Sequence, residues 1–195
     1  MWSRARRRPG TGEDVPDART RILDAAEELF AVAGYEATST ARIAKKAGVP
    51  KGLVFHYFPR KIDVLITLVQ ERTGIEEPGD EHAAAQADDP AAVLALLARR
   101  VPLRASPAMR RILFREADTH GTVRERLRHL NSEIVRRARF ALELALPGAR
   151  GDAARLEAAA ATFAVVLLYQ ESLSHLTGER IDPDALADLI AKALG

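Results

Sequence analysis

The run from Thr38 to Phe58, TSTARIAKKAGVPKGLVFHYF, constrains this chain more than any other stretch of it. Ile43, Ala44 and Ala47 are spaced to put one short apolar face on a helix, with Thr38 or Ser39 as its N-cap. Gly48 can take the positive φ that ends such a helix, Val49 turns inward, and Pro50 stands where a first-turn proline loses no hydrogen bond. A second helix is expected from Lys51 to about Tyr57, followed by Phe58 and stopped at Pro59. Two short helices joined by a glycine turn make a helix-turn-helix, whose second helix enters the DNA major groove. The same geometry also serves packing alone, and spacing by itself leaves both readings open.

The rest of the chain bounds what can surround this element. Its 195 residues, 47% of them hydrophobic, can bury a substantial core. Cysteine is absent, which removes disulfides, thiolate metal sites and a cysteine nucleophile, and fits a reducing cytoplasm. The longest apolar run, Ala158 to Tyr169, is interrupted by Thr162 and is short for a bilayer span, and the N-terminus lacks the apolar core of a secretory signal. A cytoplasmic protein is therefore expected. Alanine and leucine abound without strand-like alternation, so the expected class is all-α.

The net charge of +2 hides an asymmetry. Residues 1–72 carry thirteen Lys and Arg against nine Asp and Glu, whereas the remainder is slightly acidic. The positive field thus lies with the helices proposed to meet phosphates.

Residues 1–16 read as a disordered basic arm. Arg4, Arg6, Arg7 and Arg8 belong either to a solvated tail or to an arm that follows phosphates or enters the minor groove. A DNA-binding unit is expected over 17–60. Asp17 caps a helix over 18–33, with Ile22, Ala25, Ala26, Leu29 and Phe30 along one face and Gly34 closing it. A three-helix unit then gathers Ile22, Leu29, Phe30, Ile43, Ala44, Ala47, Val49, Val54 and Phe58. A second helical domain is expected over 61–195. Its first helix, Lys61 to Arg72, is apolar on a broad face and joins the two domains. Residues 74–90 are acidic and rich in breakers, the composition of a mobile connection. Caps then set helices at 91–101, 107–118, 123–146, 153–177 and 184–194.

Residues 18–72, through ILDAAEELFAVAGYEATST and IAKKAGVPKGLVFHYFPRKIDVL, resemble the N-terminal domain of the TetR family of bacterial transcriptional regulators. The resemblance covers a little over a quarter of the chain. It implies a homodimer on a palindromic double-stranded DNA operator, most often a repressor released by a small molecule held in the second domain. The DNA contacts it implies fall on Thr40, Lys51, Gly52, Leu53, Phe55, His56, Tyr57 and Lys61. Two positions depart from the family pattern: Leu53 replaces Thr or Ser, and Phe55 replaces Tyr. Two hydroxyls are thereby lost, and the apolar side chains are suited instead to thymine methyl groups. The alternative for Phe55 is a core aromatic.

The second domain offers helices but little chemistry. The resemblance implies that the last two helices pair with those of a second subunit, which would place Val166, Gln170, Leu173, Leu186, Leu189 and Ile190 at the interface. An effector pocket is expected among Leu65, Val69, Leu96, Leu97, Met109, Leu113, Phe114, Phe140, Phe163 and Tyr169, most of them ordinary core. Such a lining suits an apolar or amphipathic ligand. Glu and His recur four apart at Glu116 and His120, Glu125 and His129, His129 and Glu133, and Glu171 and His175. Nearby arginines favour ion-paired helices over a metal-binding enzyme, so no cofactor, metal or catalytic residue is expected. A constitutive DNA binder or an activator without an effector is the remaining alternative.

Overall fold

Asp17 begins the first helix, α1 (Ala18–Ala33), by accepting the Thr20 N–H at 2.7 Å. That bond holds the Asp17 carboxyl below its usual range. The structure, a computed structural model, describes residues 17–75, 89–100, 104–146 and 152–194; for 99–100 and 171–176 it describes the backbone alone. The N-terminal arm, most of the expected acidic connection and Pro147-Gly148, which follow the end expected for the helix over 123–146, lie outside the described residues.

Gly34 ends α1 with φ 89°. In the loop that follows, Thr38 is buried and donates its hydroxyl to the Gly34 carbonyl at 2.7 Å. The cap of α2 (Thr40–Ala47) is therefore Ser39, whose Oγ accepts the Arg42 N–H at 3.2 Å. Gly48 adopts φ 65°, and Val49 N–H reaches back to the Ala44 carbonyl at 3.0 Å. This turn sends the chain into α3 (Lys51–Tyr57). Next comes α4 (Lys61–Glu71), where Asp63 accepts the Arg60 N–H at 2.9 Å and pairs with its guanidinium at 2.7 Å. Of the nine residues expected in the three-helix core, seven are buried, with Leu29 and Val49 half-buried against them.

The second half consists of α5 (Pro90–Arg100), α6 (Pro107–Glu116), α7 (Gly121–Ala145), α8 (Ala153–Thr177) and α9 (Pro183–Leu194). Asp89, Ser106 and Asp152 accept the N–H groups of Ala92, Met109 and Arg155 at 3.0, 2.9 and 3.0 Å. The helix expected to start at Val123 begins two residues earlier, at Gly121, where Arg124 N–H reaches the His120 carbonyl at 3.0 Å. The described residues form nine helices and no strand, only an isolated bridge at Ile75.

α7 packs most extensively on α8, and α9 lies against α5. The first eighteen residues of α8, Ala153–Gln170, reach a mean hydropathy of 1.2. By length and composition they could cross a membrane, although the apolar run within them is shorter. Their charges face protein partners. Glu157 pairs with Arg139 of α7 at 3.1 Å, and Arg155 donates to the Ala193 carbonyl of α9.

α1 is buried on more than the single face expected. It packs on α2 and α4, and also on α6 across the domain boundary. At that seam Glu27 is buried and receives Ser106 Oγ and, at 2.6 Å, Arg72. α4 touches α1, α6 and α7, so it joins the two halves as its apolar breadth predicts.

Candidate nucleic-acid interface

Two residues anchor α3: Val54 and Phe58 are buried, while Lys51, Gly52, Phe55, His56 and Tyr57 are exposed and Leu53 is half-buried. Phe55 is 43% exposed and Tyr57 40%, so Phe55 is not the core aromatic that sequence left open. Lys51 Nζ lies 5.6 Å from the Phe55 ring centroid, and the His56 and Tyr57 rings meet edge to face at 5.3 Å. Gly52 does not adopt positive φ, and a Cβ added there would meet nothing within 4 Å. Glycine in a helix costs up to about 1 kcal/mol relative to alanine. Nothing within the described residues calls for one here.

Thr40, the first residue of α2, is half-buried. Two cations beyond the expected set flank the same turn: Arg42 and Lys45 on α2 are exposed, Arg42 donating to the Ala37 carbonyl at 3.0 Å. Lys45 and Lys51 have no carboxylate partner among the described residues, whereas Lys46 pairs with Glu28 at 2.6 Å. Helical spacing from Ile43 and Ala47 could have marked Arg42 and Lys45 as outward-facing. Arg4, Arg6, Arg7 and Arg8 lie outside the described residues.

Lys61 is engaged with the protein. Its ammonium donates to the Tyr35 carbonyl at 2.9 Å and lies 4.0 Å from the centroid of the Tyr35 ring. The other contacts of Tyr35 reach into the second half. Its N–H donates to the buried Glu116 Oε1 at 3.1 Å, and its ring meets His120 edge to face at 4.7 Å. Burial pushes the Tyr35 hydroxyl pKa above its ordinary value. Glu116 also receives Arg115 at 3.3 Å and lies 3.5 Å from His120 Nδ1, while Arg115 donates to the Phe30 carbonyl. One loop of the N-terminal unit is thus held by the end of α6 and the start of α7.

The expected effector lining divides. Leu65, Val69, Leu97, Met109, Leu113 and Phe163 are buried core, and Leu96 and Phe114 are half-buried. Phe140 and Tyr169 are exposed, with Tyr169 against Phe114 at 4.7 Å between centroids. Two cavities of about 420 and 350 Å³ lie beside Gly74 and Ile75, lined mainly by polar residues including Arg72, Arg104, Arg126 and Glu133. Neither touches the expected apolar lining.

Of the expected interface residues, Leu186 and Ile190 are buried within the chain, Val166 and Gln170 are half-buried, and Leu189 is 67% exposed; the Leu173 side chain lies outside the described set. The exposed apolar side of α8 carries Val165 and Tyr169 instead, one position round from Val166 and Gln170. Among the described residues no group of three His, Asp or Glu is placed to hold a metal ion. Glu125 pairs with Arg128 and Glu133 with Arg136 and Arg137, and those arginines hold the Glu133 carboxyl below its usual range. The side chains of Glu171 and His175 are outside the described set.

These helices define a helix-turn-helix unit carried on a helical second half. Residues 22–68 match the family model for bacterial regulatory proteins, tetR family. Over these residues the chain is similar to that family's N-terminal domain. It is 41% identical over 71 residues to the fatty acid metabolism regulator protein of Bacillus subtilis (strain 168), covering 34% of this chain and 37% of that one. It is 36% identical over 72 residues to the HTH-type transcriptional repressor KstR of Mycobacterium tuberculosis (strain ATCC 25618 / H37Rv), covering 36% and 33%. The matched part therefore spans about a third of these relatives' length. The fold extends further: the crystal structure of the transcriptional regulator FadR from Bacillus subtilis, in complex with stearoyl-CoA, aligns with a TM-score of 0.53 at 19% identity, over 90% of this chain and 96% of that one.

Proposed function

We propose that this chain is a DNA-binding transcription regulator and not an enzyme, acting as a homodimeric repressor in the cytoplasm and released from a palindromic operator by a small apolar or amphipathic effector. The observation that carries this reading is α3, whose outer face is exposed apart from half-buried Leu53 and is bordered by Lys45 and Lys51, exposed cations with no carboxylate partner among the described residues. Thr40, Lys51, Gly52, Leu53, Phe55, His56 and Tyr57 form the DNA face. Arg42 and Lys45 add to its phosphate contacts, and the arm arginines extend them. Lys61, committed to Tyr35, acts mainly by holding the loop that supports α2.

Effector release is supported by relatives named as regulators of fatty acid metabolism or as repressors, and by the stearoyl-CoA bound to FadR. With six lining candidates fully packed, an effector enters by parting α4 to α8. The contacts of Tyr35 with Glu116 and His120 lie on the route by which that movement reaches α1 and α2. Dimerisation covers Val165, Tyr169 and Leu189, whose apolar surface is otherwise left to solvent.

Band-shift of the chain on its own upstream DNA, repeated with a panel of metabolites that includes fatty acids and acyl-CoAs, tests this reading. A retarded complex that one compound dissolves is expected. A complex that no compound dissolves favours a constitutive binder or an activator, and absence of any complex rejects the regulator reading.

A further inference from the structure

We infer that α3 seats its backbone at Gly52 against the base edges of the major groove and recognises its operator chiefly through thymine methyl groups, using Phe55 and Leu53. This rests on the DNA-binding reading above and specifies the chemistry it uses.

The first observation is the glycine. Gly52 lies in the first turn of α3, exposed, without positive φ, and with open space where a Cβ would stand. Neither the backbone conformation nor the packing of the described residues excludes a side chain, and alanine would strengthen the helix. Room is needed by something outside the chain. A glycine facing a groove permits close approach of backbone to ligand.

The second observation is what surrounds it. Val54 points into the core, so the opposite face of the helix holds Gly52 and His56, four residues apart, with Leu53 on one side and Phe55 on the other. From Lys51 to Tyr57 there is no Arg, Asn, Gln, Asp or Glu, so of the side chains that grip base edges by paired or accepting hydrogen bonds this helix carries Lys51 alone, at its first position. Lys51, His56 and Tyr57 alone bring side-chain hydrogen-bonding groups. Lys51 holds its ammonium above the Phe55 ring, which keeps that ring beside the outward face. Thymine is the base that presents a methyl group in the major groove, and apolar side chains distinguish it there.

The test uses the full chain. An operator is selected from a random duplex library, and thymines within each half-site are replaced one at a time by deoxyuridine, which keeps the pairing edge and removes the methyl. At one or two positions per half-site, affinity should fall about fourfold per methyl, the change expected for burying one such group. With Phe55→Ala or Leu53→Ala, one of those positions should become indifferent to the replacement. Gly52→Ala should raise or preserve the melting temperature while lowering affinity for the selected operator at least tenfold.

Indifference of the wild-type chain to deoxyuridine everywhere in a selected operator overturns methyl recognition. Undiminished binding by Gly52→Ala overturns the close seat. Failure of the wild-type chain to enrich or bind any duplex overturns the DNA-binding reading itself, and with it this inference.

Discussion

The helices α1 to α4 and the helices α5 to α9 are built from similar residues but are held in different ways. In the first group, short polar signals decide where helices stop. Asp17 and Ser39 cap, Gly34 and Gly48 reverse the chain, and two anchors leave most of α3 in solvent. In the second, long alanine- and leucine-rich helices find their place by apolar contact, and α8 is buried at Leu156, Ala160, Phe163, Ala164 and Leu168. A surface that must meet a partner in one orientation benefits from rigid short elements. A helical bundle that must open to admit a molecule benefits from interfaces that slide and repack.

Large truncations in the second group should do most damage. Phe163→Ala removes a fully buried ring and should cost about 3–5 kcal/mol in urea unfolding. Next comes the joint between the groups. Glu116→Ala leaves the buried Tyr35 N–H without its acceptor and should cost about 1–3 kcal/mol, while also weakening DNA binding through the loop before α2. Smaller still is the local signal: Ser39→Ala should cost about 1 kcal/mol, with the loss confined to protection of α2 in hydrogen exchange. If Ser39→Ala proved as damaging as Phe163→Ala, the contrast between the two groups would collapse.

The smallest effect concerns acid. Arg19 hydrogen-bonds Glu71 and holds its carboxyl below the usual range. A depressed folded-state pKa gives stability that is complete above the unfolded carboxylate value, 4.5, and is lost as pH falls through the lower folded value. Arg19→Met should therefore be less stable than wild type at neutral pH, by under about 1 kcal/mol because both side chains are more than a third open to screening by solvent. The two should converge in strong acid. Parallel pH profiles would remove this pair from the set of stabilising contacts.

Much of the first group was legible because its signals are local. The bounds of α1 and α3, the cap by Asp17, the turn at Gly48 and the inward Val54 and Phe58 all follow from neighbours within a few residues. Three of the five helices beyond residue 89 were likewise marked by Asp-Pro or Ser-Pro pairs, which are capping signals. What stayed hidden depends on distant partners. Nothing near Tyr35 in sequence announces Glu116, 81 residues away, and nothing beside Glu27 announces Ser106. Lys61 reads as one more exposed cation until the Tyr35 carbonyl is brought to it. The outward side of α8 is ambiguous for another reason. Its apolar residues surround the helix, so periodicity cannot distinguish Val165 from Val166.

The ring of Tyr35, set between the Lys61 ammonium and the His120 imidazole, also offers a spectroscopic consequence. The chain has three tyrosines, and the other two occupy different places: Tyr57 on the outer side of α3 and Tyr169 on the exposed side of α8. Fluorinated tyrosine should therefore give three resonances from three different settings: Tyr35 beside Lys61 and His120, Tyr57 beside His56, and Tyr169 beside Phe114. DNA should move the Tyr57 signal, association of two copies the Tyr169 signal, and an effector the Tyr35 signal. A single titration could then show in what order the chain assembles, binds DNA and lets go.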